Sequence, residues 1–551
     1  MMRRLALVVA PLLGSLVCTT NAQAQVDGRG VAIGASSTQS PAGVAATGQL
    51  LRNDTGLYPR AVRLEHSGAA NGRVVASVVT FVGNADGVGA IYESTNGGVS
   101  FAQVGTVADP AASGGKGLCC ATLFELPQQV GSMPAGTLLW AASVGQDARP
   151  MSLRIWKSND VGRTWSYLSN CATTSSTKGL WEPEFSIAAD GRLVCHYSDE
   201  TDAAHSQKLM EVRSSDGITW TDRSPTVSSP TFGHRPGMPV VRKLPSGSYV
   251  MVYEICGLGG QYDCVVHTRT SGDGWNWGSP SALGVRAQTV DGKYFTHAPT
   301  IAWAPSAGSP NGKLLLIGQI LQNANGSVAA DNGRTILVNT EWSNGYWYEI
   351  ASPVTVNNPY NNYCPNYSSP MVPSADGYQV LQLATDYDGG VCKTYFATGS
   401  AVGTQDASGV ANSTYRLVSA QSGHCLDVSA DSRVPGGNIQ QWTCNNLGPQ
   451  NFQFSSEGNG YFRLKGQNSQ LCVEVASNSS TPGANVQQWN CQDGGWQRWR
   501  LVNVGRSYYK LVGQNSNLCL DVAGGSSTPG ANVQVWTCNN LQPQTWRLEP
   551  H

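Results

Sequence analysis

Charge is what this sequence has least of. Asp, Glu, Lys and Arg make up only 13% of 551 residues, and they nearly cancel to a formal net charge of −1. No basic field is available for nucleic acid or for an anionic membrane surface, so neither partner is expected. Histidine is sparse as well: the eight are scattered without HxH or HxxxH spacing, and neither a metal nor any other cofactor is expected. Long helical periodicity is missing. Beyond one stretch near the start, no apolar run could cross a bilayer. What the chain has in quantity is 63 Gly, 16 Trp and 20 Tyr, a balance that suits an all-β protein with many tight turns. The length is too great for one ordinary core, so two or more domains are expected.

The start of the chain reads as an export signal. Arg3 and Arg4 precede the short apolar run Leu5 to Cys18, and Ala22-Gln23-Ala24 offers small residues for cleavage. Residues 1–24 are therefore expected to be removed and the protein to be secreted. Of 15 cysteines, Cys18 leaves with the signal, and an even number in an exported chain favours disulfides over metal ligation.

The tail repeats. Cys425, Cys472 and Cys519 recur every 47 residues, and so do Trp442, Trp489 and Trp536, and Cys444, Cys491 and Cys538. Within each copy the two cysteines invite a disulfide: Cys425 with Cys444, Cys472 with Cys491, Cys519 with Cys538. Gln450-Asn451-Phe452, Gln497-Arg498-Trp499 and Gln544-Thr545-Trp546 keep the same step. Three copies of a short-stranded unit imply a closed pseudo-threefold structure, because one copy cannot bury its own apolar face. These marks resemble the ricin-type β-trefoil carbohydrate-binding module, over residues 412–551. The resemblance implies three sugar sites, each an aromatic ring with an acid that accepts from hydroxyls: Asp427 with Trp442, Glu474 with Trp489, Asp521 with Trp536. The second copy departs from the pattern, with Glu474 in place of Asp. The Gln-x-aromatic triplets are expected in the core. Before the module, residues 401–411 are small and polar, as a linker would be.

Residues 25–400 hold a looser repeat. Ser158 to Trp165 reads SxDxGxxW, with weaker copies at Ser94 to Phe101, Ser214 to Trp220 and Ser271 to Trp277, and a relic at Ser343 to Trp347. In each, Asp or Asn bonds its own backbone, Gly takes the left-handed position and an aromatic plugs a gap between strands. Alternating strands lie between the turns. A step of roughly 60 residues with about four strands is a propeller blade, and about six such steps fit. The turns resemble the Asp-box of sialidases and related six-bladed propellers, where they lie on the rim away from chemistry. The fold expected is thus all-β, a six-bladed β-propeller followed by a β-trefoil.

Breaking a glycosidic bond needs two carboxyl groups, and in a propeller they should come from different blades facing one funnel. Glu182, in Trp181-Glu182-Pro183-Glu184-Phe185, follows the second Asp-box, and Glu254, in Val252-Tyr253-Glu254, follows the third. Here WEPEF with YSDE, then RPGMP with VYE, the earlier Tyr58-Pro59-Arg60 and GLCCATLFELP (Gly117 to Pro127) resemble the exo-1,5-α-L-arabinanases of glycoside hydrolase family 93. That resemblance implies a retaining enzyme that releases arabinobiose from the non-reducing end of linear arabinan, with Glu182 and Glu254 as its catalytic pair. Strand alternation would set Glu184 on the same face as Glu182, raising its pKa and suiting it to act as acid/base, with Glu254 as nucleophile. The apolar neighbours Val250 and Val252 argue the opposite, since they would raise Glu254 instead. Tyr58, Arg60, Trp181, His234, Arg235, His297 and Tyr367 are candidate substrate contacts, and Ser198-Asp199-Glu200 a polar cluster first of structural use. Cys256 with Cys264 and Cys364 with Cys392 are close enough in sequence to pair, while the partners of Cys119 and Cys120 cannot be read. The expected partner is arabinan or a related plant cell-wall polysaccharide, met by a monomer. Two other readings share this architecture: a sialidase, which would need three arginines around a substrate carboxylate, and a propeller fused to a lectin that binds glycans without cutting them.

Overall fold

The computed structural model describes residues 46–82, 86–289, 292–306, 309–339, 347–401, 412–458, 461–505, 508–539 and 541–551. The export signal, most of the expected linker and residues 343–346 of the Asp-box relic lie outside the described residues. Among those described, the only helical pieces are three-residue 3-10 turns, and no helix is long and apolar enough to cross a membrane.

Six antiparallel sheets succeed one another before the tail. Blade 1 is Leu57–Arg63, Val74–Val82, Asp86–Ser94 and Ala102–Ala108; blade 2 is Leu118–Glu125, Leu138–Val144, Ser152–Ser158 and Ser166–Thr173. Blade 3 is Leu180–Ile187, Leu193–Asp199, Lys208–Ser214 and Thr221–Val227. Blade 4 is Arg235–Lys243, Tyr249–Cys256 and Val265–Ser271, with Val285–Arg286 as a short outer strand. Blade 5 is Thr300–Ser306, Ser309–Ile317, Thr335–Asn339 and Tyr348–Ala351. Blade 6 takes Met371–Pro373, Gln379–Asp388 and Val391–Ser400 from the end of this region and its outer strand, Gln49–Leu50, from the beginning. The ring is therefore closed by pairing distant parts of one chain, which leaves no gap between first and last blades.

The apolar core lies between blades, as the alternation of each strand requires. One cluster joins blades 1 and 2 through Val75, Ile91, Leu138 and Trp140, another joins blades 2 and 3 through Leu139, Ile155, Phe185 and Tyr197. Trp140 lies so close over Gly89 that a Cβ there would stand 2.6 Å from its ring, so the residue must be glycine. Four Asp-boxes sit between the third and fourth strands. In the second, Asp160 Oδ1 accepts from Arg163 N (3.1 Å) and Thr164 N (2.9 Å), and Gly162 N donates to Ser158 Oγ (2.9 Å).

Residues 413–551 form one twelve-stranded structure with a single core, in which Leu426, Phe452, Val473, Trp499, Leu520 and Trp546 are buried together. Gln450, Gln497 and Gln544 are wholly buried. Each donates to a carbonyl of its own repeat, those of Thr443, Asn490 and Thr537. On the pseudo-threefold axis Asn438, Asn485 and Asn532 close a ring of side-chain hydrogen bonds, each 2.9 Å.

Candidate active site

On each inner strand of the propeller, or just before it, the backbone takes a left-handed turn at one place. Non-glycine residues with left-handed φ stand there: Tyr58 (47°), Cys120 (58°), Glu182 (52°), Met238 (57°), Ala298 (46°) and Ser368 (58°). In the first four blades the pairing shifts across this point, between Leu57 and Arg60, Cys119 and Thr122, Trp181 and Glu184, and Gly237 and Val240. Such bulges re-aim a side chain that simple alternation would send elsewhere, and a left-handed φ at bulky residues costs on the order of 1–3 kcal/mol each. The turned residues converge: Tyr58, Cys119, Cys120, Met238 and Ala298 form one buried cluster, with Trp181 and Tyr367 packed against it. Six blades thus supply one floor.

Glu182 and Glu254 face that floor, each half-buried. Glu182 Oε2 accepts from Ser198 Oγ (2.6 Å) and Met238 N (3.3 Å). Glu254 Oε2 accepts from Ala298 N (2.7 Å). In both cases the backbone donor is the turned residue of the next blade, so the bulge that shapes the floor also orients a neighbour's carboxyl. Glu254 pairs in register with Gly237, which leaves no side chain beside it on the inner strand. Burial pushes both pKa values up. Glu182 is raised by burial while the bonds from Ser198 and Met238 pull it down; Glu200 pushes it up and Arg235 pulls it down. Glu254 is pushed up to about 8, by burial first, against the bond from Ala298, and further by the charges of Glu182 and Asp263.

The bulge corrects one expectation. Because Glu182 sits in the turned position, Glu184 does not share its face; it is buried against Thr122 Oγ1 (2.8 Å) and Arg242 Nη1 (2.7 Å). Glu254 makes no strand-end pair with an arginine among the described residues. Arg235 instead binds Glu200, Gln207 Oε1 (2.6 Å) and Ser206 Oγ (2.6 Å), and reaches the two glutamates only through its field. Arg60 is similarly held, with Nη1 on Ser368 Oγ (2.9 Å) and its guanidinium 4.3 Å over the Tyr58 ring.

The other candidates divide. Tyr58, Trp181 and Tyr367 belong to the floor. Burial raises the Tyr58 and Tyr367 hydroxyls well above the usual value, and the charges of Glu254 and Glu182 add to this at Tyr367, so both stay protonated donors. Trp181 Nε1 has no acceptor among the described residues, and Arg149 lies 5.0 Å over its ring. His297 immediately precedes Ala298 and stands with Cys256 and Cys264, their ligand atoms within 4.8 Å of one another. The two sulfurs are bonded to each other, so no thiolate remains there to hold a metal. His234 is bonded to Ser229 Oγ (2.7 Å) in the 229–234 loop and touches neither carboxyl. Ser198, read from sequence as part of a structural cluster, is the direct donor to Glu182. Its signal was the pairing of its strand with the WEPEF strand, opposite Trp181.

In the tail, Asp427, Glu474 and Asp521 are buried and each accepts from a glutamine of the paired strand, Gln440, Gln487 and Gln534, all at 2.9 Å. Glu474 is placed as the two aspartates are, with Gln497 Nε2 at 2.8 Å where Gln450 stands at 3.2 Å from Asp427. Trp442, Trp489 and Trp536 are 43%, 36% and 42% exposed, an unusual state for the largest apolar side chain unless something covers it. Each leans toward a glycine of another repeat: Trp442 on Gly530, Trp489 on Gly436, Trp536 on Gly483. The structure forms disulfides Cys425–Cys444, Cys472–Cys491 and Cys519–Cys538, and in the propeller Cys256–Cys264, Cys364–Cys392 and Cys171–Cys195. The last, joining blades 2 and 3, was not anticipated.

Comparison with known proteins divides the chain in the same way. Residues 413–546 match the family model of the ricin-type beta-trefoil lectin domain. The propeller is similar to the solved α-L-arabinanase of Penicillium chrysogenum in complex with arabinobiose, at 25% identity and a TM-score of 0.53, over 66% of this chain and 99% of that one. It is similar in fold to the family 93 α-L-arabinofuranosidase of Fusarium graminearum with arabinobiose, at 22% identity and a TM-score of 0.52, over 65% of this chain and 98% of that one. A search of curated proteins by sequence found no match.

Proposed function

We propose that the chain is a secreted, retaining glycoside hydrolase that acts on linear α-1,5-L-arabinan and releases arabinobiose from the non-reducing end. Residues 25–400 carry the chemistry, and residues 412–551 hold the enzyme on arabinan or a related wall polysaccharide. The observation that carries this reading is the pair Glu182 and Glu254: two carboxyls from successive blades, each fixed by the backbone N–H of the next blade's turned residue, over one six-part floor. The likeness of the propeller to an arabinanase that binds arabinobiose supplies the substrate class.

The environments of the two glutamates favour one division of roles. With its pKa near 8, Glu254 holds a proton at neutral pH; Oε2 takes the Ala298 N–H, so the proton resides on Oε1. Glu182, with two donors on one oxygen where Glu254 has the one backbone donor, is the better carboxylate. Glu182 therefore attacks the anomeric carbon while Glu254 protonates the departing sugar oxygen. Glu254, now ionised, then takes a proton from the water that displaces Glu182 from the glycosyl ester. This turns round the assignment drawn from strand alternation, whose premise the bulge at Glu182 removes. A sialidase is disfavoured because Arg60 and Arg235 are bonded to protein acceptors.

Azide separates the possibilities. With an activated aryl arabinoside, Glu254→Ala should yield a glycosyl azide of retained configuration and Glu182→Ala one of inverted configuration; the opposite pattern would return the roles to the first assignment. Debranched arabinan should give a disaccharide alone from the first minutes, whereas a ladder of products would overturn the exo mode. A chromogenic sialoside should be left intact.

A further inference from the structure

Lys293 carries its amine into a place that water scarcely reaches: the side chain is 2% exposed. Nζ donates to two carboxyl groups at once, Asp331 Oδ2 (2.6 Å) and Glu349 Oε2 (2.9 Å). Lys208 and Lys393 each meet a single carboxylate, and both are more exposed. The three groups come from three separate pieces of chain. Lys293 N donates to Thr289 Oγ1 (2.8 Å) in the connection between blades 4 and 5. Asp331 lies in the loop before the third strand of blade 5, where its carbonyl accepts from Arg334 N (3.0 Å) and Thr335 Oγ1 (3.1 Å). Glu349 stands on the outer strand of the same blade, paired with Leu337. None of the three belongs to the funnel floor. Burial and the neighbouring Asp331 carboxyl raise Glu349 towards neutrality; against burial, the bonds from Glu349 and Lys293 hold Asp331 down. The carboxyl pair therefore keeps a proton on the Glu349 side. An amine in hydrogen-bond contact with a carboxyl oxygen stands about 3–3.5 Å from the carboxyl carbon, the separation of a near-attack pair. Buried charges are costly to hold away from water, and an amide carries none.

We propose that Lys293 and Asp331 join in the folded protein through an isopeptide bond, with Glu349 as the group that moves the protons. The Lys293 ammonium gives one proton to the Asp331 carboxylate by way of Glu349, which removes two opposite charges where the surroundings favour neutral forms. The neutral amine then attacks Cγ of Asp331. Glu349 takes the second proton from nitrogen and hands it to the hydroxyl on Cγ, which departs as water. The Nζ–Cγ bond forms, one Cγ–O bond breaks, and the third proton stays on the amide nitrogen. Glu349 ends as it began, and nothing is oxidised or reduced. The bond ties the connection between blades 4 and 5 to blade 5 itself, across 38 positions of sequence. It removes the charged set from the interior and closes a loop that the unfolded chain would otherwise leave free. The hydrolase reading is not needed for it.

Peptide masses test this on the full chain. The folded protein is denatured, reduced, alkylated and digested with trypsin, which does not cut after an acylated lysine. The expected product is a branched peptide joining residues 287–313 to residues 314–334, lighter by one water than the two together. Separate linear peptides 287–293, 294–313 and 314–334 from wild type overturn the bond, whatever the enzyme does to sugars. A branch from 287–313 to 335–393 would put the amide on Glu349 and overturn the division of roles. Glu349→Gln keeps the shape of the site but relays no proton, so its branched peptide should accumulate about 100-fold more slowly after folding. An equal rate removes Glu349 from the reaction. Should that variant not fold, the wild-type masses alone still decide the bond. Lys293→Arg keeps the positive charge and forms no amide; its Tm should lie about 5 °C or more below that of wild type. An unchanged Tm would overturn the stabilising role.

Discussion

At the left-handed turns on or just before the propeller's six inner strands stand Tyr58, Cys120, Glu182, Met238, Ala298 and Ser368, six different residues. At the matching place in the three tail repeats stand Asp427, Glu474 and Asp521, one kind of residue, each beside an exposed tryptophan. Both parts are rings of repeated units, yet one lets its repeats diverge where they meet and the other keeps them alike. A converging floor makes one site, and chemistry at one sugar needs unlike groups: an acid, a carboxylate, donors and apolar contact. Sites spread around a perimeter do not meet, so each must recognise a sugar alone, and likeness among them gives avidity for a repeating polymer when they engage together. On the proposed reading, divergence marks the place of reaction, and sameness the place of attachment.

The sharpest way to break this contrast is to disable one ring and test the other. Glu182→Gln and Glu254→Gln should each lower sugar release by about 100-fold to 10,000-fold, while retention of the protein on insoluble polysaccharide stays as in wild type. If release survives both changes, the funnel is not where the bond breaks. The pH profile refines the assignment. Glu254 must be protonated to act first, so kcat/KM should fall as pH rises past about 8. It should also fall on the acid side, where Glu182 takes up a proton. The same group affects stability. From the usual carboxylate value of about 4.5 up to about 8, the folded chain keeps a proton the unfolded chain has lost, so stability declines as pH rises through that window. Glu254→Gln never acquires the buried charge, and its gain in Tm over wild type should be larger at about pH 8 than at about pH 5. An equal shift at both would mean the carboxyl is well solvated.

On the other ring, each of Trp442→Ala, Trp489→Ala and Trp536→Ala should weaken retention on insoluble polysaccharide by a few-fold, about 0.5–1.5 kcal/mol of ring contact. The triple change should abolish retention, leaving kcat on short soluble arabinan untouched. A single tryptophan accounting for all retention would show that the repeats are not equivalent in use, however alike in structure.

Much of this contrast is legible in the sequence alone. The 47-residue step of Cys, Trp and Gln-x-aromatic in the tail survives because its three copies share one core, and any departure would disturb all of them. The Asp-boxes revealed the blades because a tight turn needs the same few side chains wherever it occurs. The floor was not legible. A bulge adds one residue to one strand, and alternation read from sequence passes straight over it, which is how Glu184 was placed beside Glu182. A signal was present: Tyr58, Glu182, Met238 and Ala298 each precede a proline, at Pro59, Pro183, Pro239 and Pro299, where an inner strand begins anew. Proline removes a ladder donor, so it belongs where pairing is already interrupted. Cys171–Cys195, no farther apart in sequence than Cys364–Cys392, is not legible because its two strands belong to different blades, and nothing in the alternation of either sets them side by side.

Two smaller changes sharpen the comparison at the level of what holds each ring together. Asn438→Ala opens the cycle of amides on the threefold axis, leaving a donor of Asn485 and an acceptor of Asn532 without partners. Leaving such part-buried groups unpaired costs about 1–3 kcal/mol, and the three sites should weaken together, since one axis serves them all.

Asp160→Ala should be milder and purely local. The Asp160 carboxylate accepts from Arg163 N, Thr164 N, Thr164 Oγ1 (2.6 Å) and Ser158 Oγ (2.7 Å), all inside one turn at the rim of blade 2. Solvent can replace most of these donors' partners, so the loss should be about 1 kcal/mol, comparable with removing a helix cap. Those bonds hold its pKa below the usual carboxylate value. The contribution is therefore present above the unfolded value and is lost as pH falls through the depressed folded one. The variant should melt lower than wild type at neutral pH, and the gap should narrow in acid, with kcat/KM on arabinan unchanged throughout. A change in kcat/KM would mean that the rim turn is coupled to the floor, and that blade repetition serves the reaction as well as the frame.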